Sequence, residues 1–482
     1  MNKTIRHASV FTLLLVVALL VRATWVQFYD SKALADDNLN RRNVIEQYAN
    51  PLGDIIVGGE AITGSERTKG GDLAYKRTYK DGDLYSSVTG YSSQVYGATQ
   101  LEGIYKDVLD GTDNRLKNPL DTLTNKRADP GDVVTTIDPA VQKAAYKSLG
   151  DKKGAAVAVD PKTGKILGMV STPSYDPSDI SGSTDSKEWQ ALLKDEDKPM
   201  VNRALRQPLP PGSTFKLVVA AAALEDGLYG SADTGTDSPN PYTLPGTRTV
   251  LKNESASAPC EDATIRTALQ YSCNNVFAKM AVDLGQDKVK SMAEKMGFNT
   301  DKLDVPVRAS QSVYPSDMDK AQTALTGIGQ FDVTATPLQM SMVSGAIANG
   351  GELASPHMVS QITDSNGDVL DSFDDADSER VMSESTASQL QSAMETVVEK
   401  GTGTNARISG ADVGGKTGTA QHGENNSKTP YAWFTSYAKG GDGKEVAVAV
   451  IVESSDAARS EVSGNGLAAP IAKAMMSAAL KS

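Results

Sequence analysis

The 482-residue sequence predicts a mixed fold of the α/β class in its α+β form, mounted behind an N-terminal membrane helix. Three observations predict it. Ala8 to Val21 is an almost wholly apolar run; Leu217 to Leu224 is a second, framed by Pro210-Pro211-Gly212 and Gly227; and from Gly414 onward three strand signals follow at meander spacing. A hydrophobic content of 39% over this length supports a sizeable core and more than one domain. With a net charge of -12 and no basic patch, nucleic acid is excluded as a partner.

The first apolar run supplies an address. Lys3 and Arg6 precede it, and extension through Trp25, Phe28 and Tyr29 gives about 20 residues with aromatic side chains at interface depth. Arg22 interrupts the run but can snorkel to the headgroups. A cleaved signal peptide is the rival, because Ala33-Leu34-Ala35 has the small-residue pattern of a cleavage site. That site lies far beyond the apolar stretch, so an uncleaved anchor is expected. Lys3 and Arg6 before the span, with Asp30, Asp36 and Asp37 after it, place the N-terminus in the cytoplasm and the remaining mass outside the membrane.

The charged run Asp185 to Lys198 is expected to be solvated surface. Next comes Ser213-Thr214-Phe215-Lys216, an S-x-x-K motif at the start of the second apolar run. Pro210-Pro211-Gly212 breaks the preceding segment, so Ser213 is expected at the N-terminus of a buried helix, where free N–H groups and the helix dipole favour an oxyanion. Lys216 comes one turn later on the same face, so its amine can reach the Ser213 hydroxyl, and a desolvated lysine can act as a base. The blander alternative makes Ser213 a helix cap and Lys216 a surface lysine.

Ser272-Cys273-Asn274, an S-x-N motif, lies between apolar flanks, as expected of a loop joining two buried helical segments. Its two polar side chains can face one cleft, or can simply cap a helix. Lys416-Thr417-Gly418-Thr419 comes after Gly414-Gly415, with Tyr431 to Tyr437 and Val446 to Val452 completing the strand signals. Gly418 inside a strand would let another backbone approach closely, as for a peptide adding along the strand edge; the alternative is a Gly-rich turn. Ala468 to Leu480 has the pattern of a terminal amphipathic helix.

Cys260 and Cys273 are the two cysteines. A bridge between them would tie the S-x-N loop to the preceding segment; two buried thiols are equally compatible with the spacing, and neither has the surroundings of a zinc site. Among the histidines, His7 precedes the span, and His357 and His422 sit in structural or peripheral contexts, so a lysine rather than a histidine is expected to activate Ser213.

S-x-x-K, S-x-N and K-T-G in this order resemble the active-site set of the penicillin-binding proteins and serine β-lactamases. The resemblance runs along the chain and is to class B penicillin-binding proteins, in particular the penicillin-binding protein A type of actinobacteria. Gly131 to Asp138 with Gln142 resembles the entry into that family's transpeptidase domain, and Ala155 to Ser171, with Asp160-Pro161-Lys162-Thr163-Gly164 at its centre, resembles its first hairpin. Gly329-Gln330, Thr336-Pro337-Leu338-Gln339 and Gly401-Thr402-Gly403 are similar to further signatures. Asn40-Arg41-Arg42, Gly53 to Val57 and Ser86 to Tyr91 resemble its N-terminal linker module.

The resemblance implies a five-stranded antiparallel sheet flanked by helices. It also implies three units: a cytoplasmic stub and membrane anchor at 1–29, a linker or dimerisation-like module at 30–130, and a penicillin-binding transpeptidase domain at 131–482. By the same resemblance Ser213 attacks a D-Ala-D-Ala stem peptide, Lys216 takes its proton, Ser272 relays a proton to the leaving amine, and Asn274 holds the substrate amide and steadies Lys216. Lys416 adds positive field; Thr417, Gly418 and Thr419 form the substrate-binding strand, with both threonines on the terminal carboxylate; and the N–H groups of Ser213 and Thr419 form the oxyanion hole. An amine of a neighbouring peptidoglycan stem completes the crosslink, β-lactam antibiotics acylate Ser213 as substrate mimics, and no cofactor or metal is expected.

A polytopic membrane glycosyltransferase is the implied partner, and the resemblance leans toward cell division. A D,D-carboxypeptidase or β-lactamase would share the three motifs with water as acceptor. A β-lactam sensor would need a signalling segment ahead of the span, and a non-catalytic scaffold in a division or elongation complex could do without Ser213.

Overall fold

The computed structural model describes residues 3–30, 41–70, 72–117, 127–373, 377–423 and 427–482. Ala33-Leu34-Ala35, Asp36, Asp37 and Asn40 lie outside the described residues. The N-terminal run forms helix α1 (Lys3–Trp25), continued by a wider turn Val26–Asp30. It is exposed along its length and apolar enough to cross a membrane. Arg22 meets Asp30 at 3.2 Å, which draws its charge toward the end of the helix.

A first sheet joins distant parts of the chain. Strands β1 (Ile55–Val57) and β2 (Glu60–Ala61) form a short hairpin, and β3 (Asp132–Thr135) runs parallel to β1. Later strands β6 (Val359–Thr363) and β7 (Val369–Ser372) complete the order β7-β6-β3-β1-β2. The segment beginning at 131 is therefore hydrogen-bonded on one side to the module before it and on the other to a strand more than 200 residues later. Helix α2 (Gly82–Thr89) packs between this module and the second sheet.

The second sheet has the order β8-β9-β10-β4-β5 and is antiparallel throughout: β4 (Lys153–Val159), β5 (Ile166–Thr172), β8 (Ala411–Ala420), β9 (Tyr431–Gly440) and β10 (Glu445–Ser454). Both faces are buried, so β4 and β10 read as unbroken apolar runs rather than as alternation. On one face Ala156, Ala158, Val448 and Val450 pack with α3 (Pro139–Leu149) and α9 (Ala469–Ala479) through Val141, Ala145, Ile471 and Met475. On the other, Ala155, Ala447 and Ala449 are small where helix α7 (Pro337–Ala348) lies against the sheet.

Helix α4 (Lys216–Glu225) is buried on every side from Lys216 to Ala223, as a helix without a polar face must be. Around it lie α6 (Asn274–Leu284) and α8 (Glu384–Lys400), and α5 (Ile265–Gln270) packs against α8, which contributes Met394 and Val397 to the core that holds Ala268 and Leu269. The charged run after Asp185 forms an exposed helix, Ser186–Lys194, held by Trp189 stacking on Tyr96 at 4.2 Å. The strand β8 is an edge of its sheet.

Candidate active site

Ser213 lies in a single tight turn, Gly212–Phe215, immediately ahead of α4, and among the described residues no side chain caps that turn or α4. Gly212 adopts a positive φ of 53° and donates its N–H to Gly329 O at 3.0 Å. Gly329 is required there, since a Cβ on it would stand 2.0 Å from Gly212 O. The turn also presses on β8: a Cβ on Gly418 would meet Pro211 O at 2.8 Å and the Thr214 methyl at 3.1 Å. The close backbone approach expected at Gly418 is thus made by the chain's own Ser213 turn, which sets the S-x-x-K and K-T-G motifs side by side.

Lys216 opens α4 and is fully buried. Its Nζ donates to Ser272 O at 2.7 Å, Asn274 Oδ1 at 2.8 Å and Ser272 Oγ at 3.2 Å, and stands 5.6 Å from the Phe277 ring centroid. All three acceptors belong to the S-x-N segment, so the amine is turned toward that loop. Among the described residues no side chain hydrogen-bonds the Ser213 hydroxyl. Ser213, Asn274 and Thr419 are half-buried and border solvent, whereas both lysine amines lie beneath them.

Lys416, on β8, is fully buried as well. Its Nζ donates to Ser272 Oγ at 3.0 Å and to Thr417 O at 3.0 Å. The Ser272 hydroxyl therefore lies between two lysine amines. Burial pushes the Lys216 amine well below the usual lysine range, and the neighbouring Lys416 charge pushes it further; Glu254 opposes both. Burial alone brings Lys416 down to about 7, with Glu254 pulling the other way. Two ammonium groups sharing one hydroxyl titrate as a pair, and the pair holds fewer protons than two free lysines would.

The S-x-N loop is built to hold Ser272 in a strained conformation. Ser272 has a φ of 57°, in the left-handed region, between the end of α5 and the start of α6. Asn253 clamps the start of α6: its Oδ1 accepts from the N–H of Asn274 at 2.6 Å and of Asn275 at 3.3 Å, while its Nδ2 donates to Asn240 Oδ1 and Asn275 Oδ1. Asn274 Nδ2 donates to Lys252 O at 2.9 Å. Cys260 and Cys273 are joined in a disulfide, with Cα atoms 5.6 Å apart, so the 252–260 segment is bound to the motif covalently too. No motif singles out Asn253; its position a few residues before Cys260 becomes informative only once the bridge is known.

Thr417, Gly418 and Thr419 lie along β8 opposite Phe434, Trp433 and Ala432. Thr417 Oγ1 is 2.8 Å from Thr402 Oγ1. His422 stacks on Tyr431 with centroids 3.9 Å apart, and its Nε2 lies 2.6 Å from Thr429 O. The backbone of His357 pairs with Gly164 and Ile166. Neither ring is part of the Ser213 cluster. Among the described residues no group of acidic, histidine or cysteine side chains is arranged to hold a metal.

The arrangement can perform acyl transfer at a serine: a solvent-facing hydroxyl beside two buried amines of lowered proton affinity, linked by a second hydroxyl. Comparison with known proteins agrees. The family model for the penicillin binding protein transpeptidase domain matches residues 154–477, and that for the penicillin binding protein A dimerisation domain matches 52–133. The chain is 35% identical to the peptidoglycan D,D-transpeptidase PbpA of Mycolicibacterium smegmatis, over 100% of this chain and 99% of that one. It is 34% identical to PbpA of Mycobacterium tuberculosis over the same shares. Its fold matches the ceftriaxone acyl-enzyme of M. tuberculosis penicillin-binding protein A with a TM-score of 0.83, covering 90% of this chain and 100% of that chain at 34% identity. The penicillin G acyl-enzyme of the same protein matches with a TM-score of 0.81, over 89% of this chain and 100% of that one. The chain belongs to the penicillin-binding protein transpeptidase family.

Proposed function

We propose that the protein is a serine-type peptidoglycan D,D-transpeptidase that crosslinks stem peptides through an acyl-enzyme on Ser213 and is inhibited by β-lactams. The observation that carries this is the Ser272 hydroxyl held between the buried amines of Lys216 and Lys416, at 3.2 and 3.0 Å.

Ser213 Oγ attacks the carbonyl carbon of the penultimate D-Ala while neutral Lys216 accepts its proton. Burial makes that possible, since a lysine at its ordinary value would be protonated at neutral pH. The oxyanion is met by the N–H groups of Ser213 and Thr419, each such donor lowering a barrier by about 3 kcal/mol. Protonated Lys216 returns its proton through Ser272 Oγ to the nitrogen of the departing D-Ala, and the C–N bond breaks. Asn274 takes the substrate amide and keeps the Lys216 amine aimed, while Thr417 and Thr419 hold the terminal carboxylate in the field of Lys416. An amine of a second stem then attacks the ester, loses a proton through the same relay, and releases Ser213 with the crosslink formed. With a penicillin, the amide that opens belongs to a ring. The leaving nitrogen stays attached, and the acyl-enzyme persists.

The wider setting is part of the same proposal. One N-terminal helix anchors the chain in the membrane; Lys3 and Arg6 ahead of it support a cytoplasmic N-terminus and an extracytoplasmic catalytic domain. The organisation into 1–29, 30–130 and 131–482 fits this, with β3 as the junction between the last two. A polytopic membrane glycosyltransferase would supply the glycan strands whose stems are joined, and the resemblance to the A type supports work at cell division.

The test uses the full chain in detergent. After incubation with penicillin G, intact mass is expected to show one stoichiometric adduct on the wild type and none on Ser213→Ala. A D-Ala-D-Ala peptide offered with an amine acceptor is expected to yield the new amide. No adduct on folded wild type would refute the proposal, and release of D-Ala with only hydrolysed peptide would make the protein a carboxypeptidase.

A further inference from the structure

Thr402 lies in the loop that leads from α8 toward β8, flanked by two glycines. Both glycines are set by contact. A Cβ on Gly401 would stand 2.6 Å from Gln270 O, and one on Gly403 would stand 3.2 Å from the Phe434 ring. The loop is thereby pressed onto the last residue of α5, two positions before Ser272, and Thr402 N–H donates to Gln270 O at 3.2 Å. Gln270 Nε2 returns a bond to Lys400 O at 3.2 Å. On its other side Thr402 extends its hydroxyl to within 2.8 Å of Thr417 Oγ1. Thr402 thus bridges the helix that delivers the S-x-N loop and the strand that carries K-T-G.

The pair of hydroxyls has a directional consequence. Each hydroxyl carries one proton, and each Oγ1 has only the other as a side-chain partner among the described residues. One proton fills the bond between them and the other is left over. If Thr417 donates to Thr402, it presents lone pairs to the cleft, which repel an anion. If Thr402 donates to Thr417, the Thr417 proton is free to point into the cleft, and the bond it receives strengthens the one it makes. A carboxylate accepts and cannot donate, so it fits the second arrangement alone.

We propose that Thr402 is a positioning residue that orients the Thr417 hydroxyl as a donor toward the carboxylate of the incoming substrate or β-lactam. This rests on the assignment of Thr417 to carboxylate binding. It predicts a selectivity that loss of packing would not produce: removing the Thr402 hydroxyl should weaken ligands that carry the carboxylate and spare those in which it is masked.

The test compares second-order acylation rates of the full chain in detergent with penicillin G and with its methyl ester, monitored by intact mass. Thr402→Val and Thr402→Ala are each expected to slow penicillin G about tenfold while changing the ester no more than about twofold, and Thr402→Ser is expected to restore the wild-type ratio. Thr417→Val is the control and should compress the same ratio. Equal losses on both ligands, or no loss on either, would overturn the role of Thr402 while Thr417→Val still discriminates. If Thr417→Val fails to discriminate, the carboxylate assignment falls and this inference with it.

Discussion

Lys216 and Lys416 carry amines that water would keep protonated, and the fold withholds water from both. In free enzyme the acylation rate with penicillin G is therefore expected to rise with pH as the Lys216 amine loses its proton. It should fall again as Lys416, brought to about 7, loses the charge that attracts the ligand carboxylate. Lys216→Met, which keeps volume and removes the proposed base, should cost about a hundred- to ten-thousand-fold in that rate with the fold intact by circular dichroism. Stability depends on the same protons. Between about 7 and the unfolded value of 10.5 the unfolded chain holds a proton on residue 416 that the folded chain lacks, so folding stability rises with pH in that window. Lys416→Met should flatten that dependence in urea titrations run at about pH 7 and about pH 9. Motif spacing is enough to name the lysines; their lowered proton affinity is not legible there, because it depends on burial by elements far away in the chain.

At the level of elements, the proposed active site is assembled from ends and edges: a turn before α4, a strained residue between α5 and α6, and the edge strand β8. The strands and the apolar helix are legible in the sequence because both-face burial forces continuous apolar runs of strand or helix length. The tight turn at Ser213 reads there only as a helix start, since the positive φ of Gly212 answers to Gly329, over a hundred residues away. The S-x-N segment is recognisable as a loop, but the left-handed Ser272 and its neighbouring clamp by Asn253 are not, because a serine carries no sequence signal for that backbone region. The Cys260–Cys273 bridge helps hold that strain. Replacing both by serine is expected to lower stability by about 3 kcal/mol, as for a short closed loop, and to slow acylation at Ser213 by loosening Ser272. Urea midpoints and penicillin G kinetics check the two effects; a variant with unchanged midpoint and rate would show that Asn253 suffices.

Across the whole molecule, the N-terminal module and the catalytic core are knit by buried polar contacts as well as by the shared strand β3. Gln142 donates through Nε2 to Leu84 O and to Met169 O, both at 2.9 Å, and accepts from Met169 N–H at 2.8 Å. Ser87 Oγ donates to Met169 O at 2.6 Å, and Asn202 Nδ2 donates to Ser87 O and Gln100 Oε1, each at 2.9 Å. Calorimetry of the full chain should accordingly give one unfolding transition rather than two. Gln142→Leu should lower its midpoint, with a loss of about 1–3 kcal/mol, because it strands the buried Met169 N–H and the half-buried Leu84 carbonyl. Two separate transitions in the wild type would contradict this coupling.

By itself the sequence determined the chemistry available to this protein: two serines, two lysines and an asparagine in three short motifs, too few histidines near them for another base, and one apolar helix at the N-terminus. Those are local properties of composition and spacing. Only the tertiary structure decided that the three motifs meet, that Ser272 lies between both amines, that Cys260 and Cys273 are joined, and that Thr402 touches Thr417. Each of these requires atoms up to 144 residues apart to come within bonding distance, and the packing that achieves it is a property of the whole core.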